Sequence, residues 1–459
     1  MADANPTALA VTLAAADTTA LRIRSRQPSS RERTQTDMQP QPRLPLPHVQ
    51  KTVLPNGLRL LTERLDHVAS ASLGLWIASG SSDEPPGSEG ITHFLEHMLF
   101  KGTHSRSTLQ IAEAIDDIGG NVNGFTDREA MYLYARTTGE QAETALELLF
   151  DLLLRSVCSQ EDVEREQGVV LQEIGHLEDT PEGWIHELLP QTVWHGHALG
   201  RTLLGDRERV RGITRDALLA HLARLLAADR LIVAAAGQVD HERIVELATR
   251  HFQALKSEAH RDDQGPPSFH LQRRLLTRPG AQVHFCLAGP GCALTDDRRH
   301  AFAMLDAILG GANSSRLFQE IRERRGLAYS IGSYLQSYRQ AGLFVIDGSC
   351  APESFPLVLD LIRQELDQVR QQGPSEAELQ RAKIQLKVGL ALAAESTSFR
   401  MQHLAVSEIY WGRVLPFDEI IAGVERVTAE DVHGLATSVL KDDLQALVAI
   451  GPFDEQGGA

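Results

Sequence analysis

The order of predicted strands and helices occurs twice along this chain, with an offset of roughly 207–216 residues. Each half contains a strand, two helices, a pair of strands and two longer helices. The predicted elements lie at 71–79, 90–100, 109–118, 121–136, 141–156 and 160–177 in the first half, and at 282–288, 299–309, 315–324, 328–335, 342–348, 355–371 and 376–393 in the second. Because strands and helices mix without strict alternation, we predict an α+β fold of two homologous domains, each a mainly antiparallel sheet with packed helices.

Length and local composition divide the chain further. At 459 residues it exceeds the size at which one hydrophobic core keeps growing. Residues 1–47 lack sustained apolar periodicity, and we predict a disordered N-terminal tail there. A transit peptide and a true start at Met38 are the alternatives. A polar segment with a proline pair predicts a linker at 256–275, between domains at 48–255 and 276–459.

Composition and charge argue against several protein classes. The chain has 45 Lys and Arg against 61 Asp and Glu, and this net charge of −16 is atypical of a nucleic-acid binder. No segment approaches the ~18 uninterrupted apolar residues of a membrane span. The cysteines, Cys158, Cys286, Cys292 and Cys350, form no CxxC pair. We predict that they are buried free thiols in a reducing compartment.

The segment HFLEH at 93–97 is the most specific chemical feature of the sequence. On a helix, at about 100° per residue, His93, Glu96 and His97 fall on one face. Histidines at i and i+4 can share one Zn²⁺, and a carboxylate one turn away can act on the metal-bound water. The order H-x-x-E-H is the inverted form of the usual zinc-peptidase motif. The alternative is a pair of surface histidines on an amphipathic helix.

A third metal ligand has to come from another segment, and the helix predicted at 160–177 is the best candidate. Its Glu166 and Glu173 lie at the margin of the apolar stripe, where a carboxylate is costly unless it is hydrogen-bonded, paired or metal-bound. A glutamate at such a position is more often a salt-bridge partner than a ligand, so both roles stay open. Gly168 in the same helix costs about 1 kcal/mol relative to Ala and predicts close packing there.

The second half of the chain is an internal control for these residues. Aligning SQEDVEREQGVVLQE with SEAELQRAKIQLKVG places Ala382 opposite Glu166 and Gly389 opposite Glu173. The HFLEH helix corresponds to a segment near 302–306 that has no histidine pair. Maintenance of the fold alone therefore does not require these residues, which favours a functional role for them.

Four segments, GITHFLEHMLFKGT, GGNVNGFTDREAMYLYAR, EREQGVVLQEIGHLEDTPE and LGRTLLG, resemble the pitrilysin/insulinase zinc metallopeptidase family. The similarity covers residues 48–459 and is to the short, two-domain branch, which includes mitochondrial processing peptidase and bacterial zinc peptidases. The resemblance implies a zinc-dependent endopeptidase acting on peptides or unfolded segments. It implies that His93, His97 and Glu173 bind one Zn²⁺ per chain, that Glu96 is the general base, and that Glu166 supports the ligands from behind.

The resemblance also implies substrate contacts in both halves. In the segment SSRLFQEIRERRGLAYS, Arg322 and Tyr329 match an Arg and a Tyr that contact the substrate near the scissile bond. Arg324 or Arg325 can take the arginine role after a small shift of the alignment. Asn123 matches an edge strand that pairs with the peptide backbone, a β-augmentation mode.

Assembly follows from the same resemblance. In the long members of the family, four such domains form two bowls around a chamber, so this chain supplies half of a clam-like chamber and is expected to dimerise. A homodimer would be self-sufficient, and a heterodimer with an inactive homologue is the alternative.

The net charge, the location and a competing function complete the expectations from the sequence. Without residues 1–47 the net charge is −18, which favours basic peptide substrates. We expect a bacterial cytoplasmic protein, with the mitochondrial matrix as the alternative location. A non-catalytic structural or partner subunit of a peptidase-like complex is the competing function.

Overall fold

The computed structural model describes residues 48–257, 265–441 and 445–453, which form two sheets with packed helices. The strands are β1 (His48–Val53), β2 (Arg59–Arg64), β3 (Ser70–Ile77), β4 (Asn121–Thr126), β5 (Met131–Thr138), β6 (Leu231–Gly237), β7 (Arg273–Thr277), β8 (Val283–Pro290), β9 (Ala328–Ser337), β10 (Gly342–Cys350) and β11 (Ala446–Gly451). The predicted tail at 1–47 lies outside the described residues, as do residues 258–264 of the predicted linker.

The helices fill the intervals between the strands. They are α1 (Ile91–Leu99), α2 (Thr108–Ile118), α3 (Ala142–Arg155), α4 (Gln160–Asp179), α5 (Pro181–Val193), α6 (Arg207–Gly212), α7 (Arg215–Leu225), α8 (His241–Phe252), α9 (Arg299–Leu309), α10 (Phe355–Gln372), α11 (Glu376–Ala393), α12 (Thr397–Trp411), α13 (Phe417–Arg426) and α14 (Ala429–Val439). Where the sequence predicts a helix at 315–324, the chain forms a wider π-helical segment, Phe318–Arg324.

The two sheets share one topology. Their strand orders are β1-β2-β6-β3-β5-β4 and β7-β11-β8-β10-β9, so β2 to β6 correspond one by one to β7 to β11. In each sheet the first strand of the repeat pairs in parallel with the last, and the other pairs are antiparallel. The strand β1 is an additional edge. The predicted α+β class, with two mainly antiparallel sheets and packed helices, is confirmed.

The central strands are buried because helices cover both faces of each sheet. In β3 and β6 nearly every residue is buried. One face of the first sheet packs on helices of its own half, including α3 and α8. The other face packs on α12, which follows the second copy of the repeat in sequence. The corresponding helix of the first half, α5, covers the outer face of the second sheet.

This exchange of helices joins the two halves through two polar contacts, of which the first is fully buried and the second partly buried. The Arg400 guanidinium on α12 donates to the Glu63 carboxylate on β2, and both side chains are buried. The Glu408 carboxylate, also on α12, accepts a hydrogen bond of 2.7 Å from Lys51 Nζ on β1. Breaking one partner of such a buried pair leaves an uncompensated charge, so these contacts oppose separation of the two sheets.

Three further sequence expectations can be compared with the fold. The strand β7 begins at Arg273, inside the segment predicted as a linker. All four cysteines are free and buried, as predicted. Among the described residues, no helix is both long and apolar enough to cross a membrane.

The interpretation of Gly168 is wrong. Helix α4 begins after Ser159, whose hydroxyl accepts a hydrogen bond from the backbone of Asp162 and caps the helix. Gly168 lies on the exposed side, and a Cβ added there would meet no atom within 4 Å. Glycine has a poor helix propensity in any surroundings. A glycine inside a helix is therefore not by itself evidence that another segment packs closely there.

We therefore expect Gly168→Ala to stabilise the protein by about 0.5–1 kcal/mol, because alanine loses less backbone entropy in a helix and meets no clash. Gly434 in α14 has the same open surroundings and serves as the matched second site. Urea unfolding of both variants measures the effect. A lower free energy of unfolding for Gly168→Ala, with the expected gain for Gly434→Ala, would contradict the account of this position.

Candidate metal centre

The start of the motif helix α1 is fixed by close packing at Gly90 and by hydrogen bonds to Glu84. Gly90 has φ of +91°, and a Cβ there would lie 2.4 Å from the carbonyl oxygen of Leu204, so only glycine fits. The buried Glu84 carboxylate accepts hydrogen bonds from the backbone N–H groups of Gly90 (2.9 Å) and Thr92 (2.8 Å). Burial raises the pKa of Glu84 to about 7. The apolar face of α1 is buried in the first domain: Ile91, Phe94, Leu95, Met98 and Leu99.

The opposite face of α1 presents two imidazoles to a carboxylate from α4. Glu173 Oε2 lies 3.7 Å from His93 Nε2 and 3.6 Å from His97 Nε2. One donor atom from each of these three residues lies within 4.8 Å of the others, and no other such group occurs within 48–257, 265–441 and 445–453. Burial, aided by the neighbouring His97, lowers the pKa of His93 to about 3. His93 is therefore a neutral imidazole at physiological pH, the form that binds metals.

The arrangement of these donors fits a zinc ion. The nitrogen–oxygen separations are too long for hydrogen bonds. Bonds of about 2.0–2.1 Å at tetrahedral angles would place donor atoms about 3.3–3.4 Å apart, close to the separations found here. Two imidazoles and one carboxylate are a typical donor set for a catalytic zinc site with an open fourth position.

Glu166 contacts His97 but is not part of the group formed by His93, His97 and Glu173. Its Oε1 is 2.9 Å from His97 Nδ1, and its Oε2 accepts a hydrogen bond of 2.8 Å from Lys101 Nζ. Burial opposes ionisation of Glu166, but the hydrogen bonds from Lys101 and His97 leave its pKa below the usual value. A carboxylate on the far nitrogen of a ligating histidine fixes the ring and its tautomer. The contacts thus distinguish Glu166 from Glu173, which residue spacing alone left open.

Glu96 is held by strand β4, through two residues that the sequence analysis did not identify. The Thr126 hydroxyl donates a hydrogen bond to Glu96 Oε2. A Cβ on Gly124 would lie 2.7 Å from Glu96 Cγ, so the strand approaches the helix this closely only with glycine. Burial raises the pKa of Glu96, whereas the Thr126 hydrogen bond and the charge of His97 lower it. Neither residue is part of a metal-ligand spacing, and the available signal was their place in the family-like segment at 119–136.

In the second domain, other residue types occupy the positions equivalent to His93, Glu96 and His97. An offset of 210 residues pairs His93 with Ala303, Glu96 with Asp306 and His97 with Ala307. Both alanines are buried, as are Ala382 and Gly389 on α11, so α9 and α11 pack directly. Small side chains close the space that the first domain keeps open for polar groups.

Arg322 and Tyr329 lie together at the surface of the second domain. Tyr329 is 66% exposed, and the Arg322 guanidinium lies over the Tyr329 ring at 5.5 Å and over the Phe318 ring at 4.7 Å. Arg324 and Arg325 differ, because both pair with the Glu320 carboxylate, at 2.9 and 2.7 Å. Within the described residues Arg322 has no ion pair of this kind.

Asn123 lies on β4, the strand at one edge of the first sheet. Its side chain faces away from the buried residues Val122 and Gly124. Among the described residues the strand pairs with β5 on one side only, so its outer edge has no strand partner. The backbone N–H of Gly124 donates a hydrogen bond of 2.9 Å to Asn123 Oδ1.

Comparison with known proteins assigns the chain to a family. A family model described as insulinase (peptidase family M16) matches residues 59–207, and one described as the peptidase M16 inactive domain matches residues 212–386. The second match covers most of the half in which small residues stand at the positions equivalent to His93, His97 and Glu173.

Several bacterial proteins are similar over most of their length. A protein named uncharacterized zinc protease from Streptomyces coelicolor is 39% identical over 418 residues, which cover 89% of this chain and 90% of that protein. One of the same name from Bacillus subtilis is 34% identical over 397 residues, covering 86% and 97%. Both relatives are named as zinc proteases.

The fold also matches a solved structure, a protease from Helicobacter pylori, with a TM-score of 0.81 at 20% identity, covering 89% of this chain and 100% of that one. The family models and the level of identity to the relatives lead to one assignment. The chain belongs to the M16, or insulinase, family of peptidases.

Proposed function

We propose that the protein is a zinc-dependent endopeptidase that holds one Zn²⁺ per chain. The observation that carries this proposal is the convergence of His93 Nε2, His97 Nε2 and Glu173 Oε2 at separations too long for hydrogen bonds and close to those of a tetrahedral zinc site. The side chain of Glu173 is 43% exposed, so the centre is open to a substrate.

The side chains around the centre have separable roles in this reaction. Zinc, when bound, lowers the pKa of a water molecule and polarises the scissile carbonyl. Glu96 takes a proton from the attacking water and returns it to the leaving amine. Glu166 keeps His97 in one orientation through its Nδ1 contact. The raised pKa of Glu96 makes it a stronger base than an exposed glutamate.

Substrate contacts are proposed on both domains. Arg322 is the arginine we assign to the substrate, because Arg324 and Arg325 are already paired with Glu320. Its guanidinium, stacked on Tyr329, can stabilise negative charge on the carbonyl oxygen together with the phenol. The free edge of β4 at Asn123 suits an extended peptide that adds as a further strand.

The assembly proposed for this activity is a dimer, in which Arg322 and Tyr329 of one subunit reach the zinc centre of the other. A homodimer is the simpler form, and a heterodimer with an inactive homologue is the alternative. The acidic net charge favours basic peptides as substrates. A bacterial cytoplasmic location fits the buried, unpaired cysteines.

Mixing two inactive variants tests the shared site. Glu96→Gln and Arg322→Ala are each expected to cleave poorly, but a subunit-exchanged mixture should recover about a quarter of the wild-type activity, because half of the dimers then hold one complete site. Cleavage of a quenched peptide and the native mass are measured together. If the mixture stays as inactive as its components while mixed dimers form, the shared site is refuted.

Zinc content and peptide cleavage test the proposed function itself. We expect one zinc per purified chain and cleavage of an unstructured peptide library that a chelator abolishes and zinc restores. A chain that binds zinc at this site but cleaves no member of the library would instead support the non-catalytic subunit.

A further inference from the structure

Strand β4 connects the free sheet edge to the base of the proposed reaction. Its residues alternate in burial, so that Val122, Gly124 and Thr126 lie on the buried face while Asn121 and Asn123 are exposed. The inward face contacts the motif helix α1. Gly124 supplies the close approach to the Glu96 side chain, and Thr126 supplies a hydrogen bond to its carboxylate.

The two oxygens of the Glu96 carboxylate have different surroundings. Oε2 accepts the hydrogen bond from the Thr126 hydroxyl, which is buried. In the described part of the chain, no protein group donates a hydrogen bond to Oε1. A carboxylate with one oxygen fixed by the protein has a defined plane, and its other oxygen remains available to accept a proton.

We infer that Thr126 is a positioning residue for Glu96: its hydroxyl fixes Oε2 and so orients the carboxylate with Oε1 as the oxygen that takes the proton. The inference rests on the proposed function, because it assigns a role within that reaction. The strand that offers its edge to a peptide is then also the strand that holds the base, so distortion of β4 disturbs both.

The second domain separates this role from a purely structural one. At the equivalent place Ser333 Oγ on β9 donates a hydrogen bond of 2.6 Å to Asp306 Oδ1 on α9. The two pairs join the same helix and strand of the repeat, but Ala303 and Ala307 stand where the first domain has histidines. A hydroxyl that merely ties helix to strand should have the same effect in both domains, whereas a positioning hydroxyl should affect turnover in the first domain only.

The test compares Thr126→Val, which keeps the shape and removes the donor, with Thr126→Ser, which restores the donor. For the full chain loaded with zinc, we expect Thr126→Val to lower kcat about tenfold or more, with KM changed less than about twofold and zinc content unchanged. Thr126→Ser should recover most of kcat. In a Glu96→Gln background Thr126→Val should cause no further loss, because the group it positions is gone.

Ser333→Ala is the matched control, and the metal-free protein gives a second readout. Ser333→Ala should lower the unfolding temperature, as Thr126→Val does, and leave kcat unchanged. In chelator-treated protein, the changes in unfolding temperature caused by Thr126→Val, Glu96→Ala and the double variant should be non-additive, because Glu96→Ala removes the acceptor of the Thr126 hydrogen bond.

Several results would overturn the inference. The first is a kcat for Thr126→Val within twofold of wild type while Glu96→Gln is inactive. That result would refute the role of Thr126 but not the proposed function. Another is a loss of activity that only follows a loss of zinc, in Thr126→Val or in the second variant Thr126→Ala. If Glu96→Gln is as active as wild type, the proposed function fails first and the inference fails with it.

Discussion

Glu96→Gln should reduce cleavage of a quenched peptide about 10³-fold while zinc remains bound, because glutamine cannot accept the proton from the attacking water. The amide is nearly isosteric and can still accept the hydrogen bond from Thr126. The two histidines and Glu173, which form the proposed ligand set, are unchanged. The measurements are kcat and zinc content on the same preparation.

The control for this variant is Asp306→Asn, which neutralises the corresponding carboxyl on the helix of the second domain. Burial raises the pKa of Asp306 to about 7, so its carboxyl is ionised in only part of the molecules near neutral pH and the substitution removes part of one negative charge. Cleavage by Asp306→Asn should equal that of the wild type. More than about a tenth of the activity remaining in Glu96→Gln would exclude Glu96 as the base.

Glu173→Ala should weaken zinc binding by more than about 100-fold, which exceeds the usual effect of losing an outer-shell partner. Its Oε2 faces both imidazole Nε2 atoms, and alanine leaves only the two histidines as ligands. Competition with a zinc-binding dye measures the affinity, and cleavage at a fixed zinc concentration should fall in proportion to occupancy.

Glu164→Ala is the matched control for Glu173→Ala. Glu164 lies on the same helix α4, is exposed, and forms a hydrogen bond of 2.8 Å with Gln160. Its removal alters the helix surface and the net charge by the same amount as Glu173→Ala. Equal zinc affinities for the two variants would show that Glu173 is not a ligand.

The sequence predicted the fold class and the location of the motif because both depend on local periodicity. It did not predict the exchange of α5 and α12 between the sheets, since an apolar helix face does not identify the sheet that it covers. It did not distinguish the π-helical turn at Phe318–Arg324 from an ordinary helix, because the two differ by a small change of pitch.

At the candidate site, too, local spacing did not identify which side chains contact one another. From spacing, Glu166 and Glu173 were equivalent, because both border the apolar stripe of α4. The family resemblance assigned them different roles, and in the structure they differ in their contacts: Glu166 contacts His97 and Lys101, whereas Glu173 faces the two Nε2 atoms. The repeat carried more information: Ala382 and Gly389 indicated that neither carboxylate is needed for folding.

Zinc titration of the metal-free protein tests the central claim most directly. Chelator-treated protein should be inactive on a quenched peptide, and added Zn²⁺ should raise cleavage linearly until one equivalent per chain is bound, with no further gain. Full activity in protein shown to be free of metal would contradict the account, as would tight binding of one zinc at His93, His97 and Glu173 that restores no cleavage.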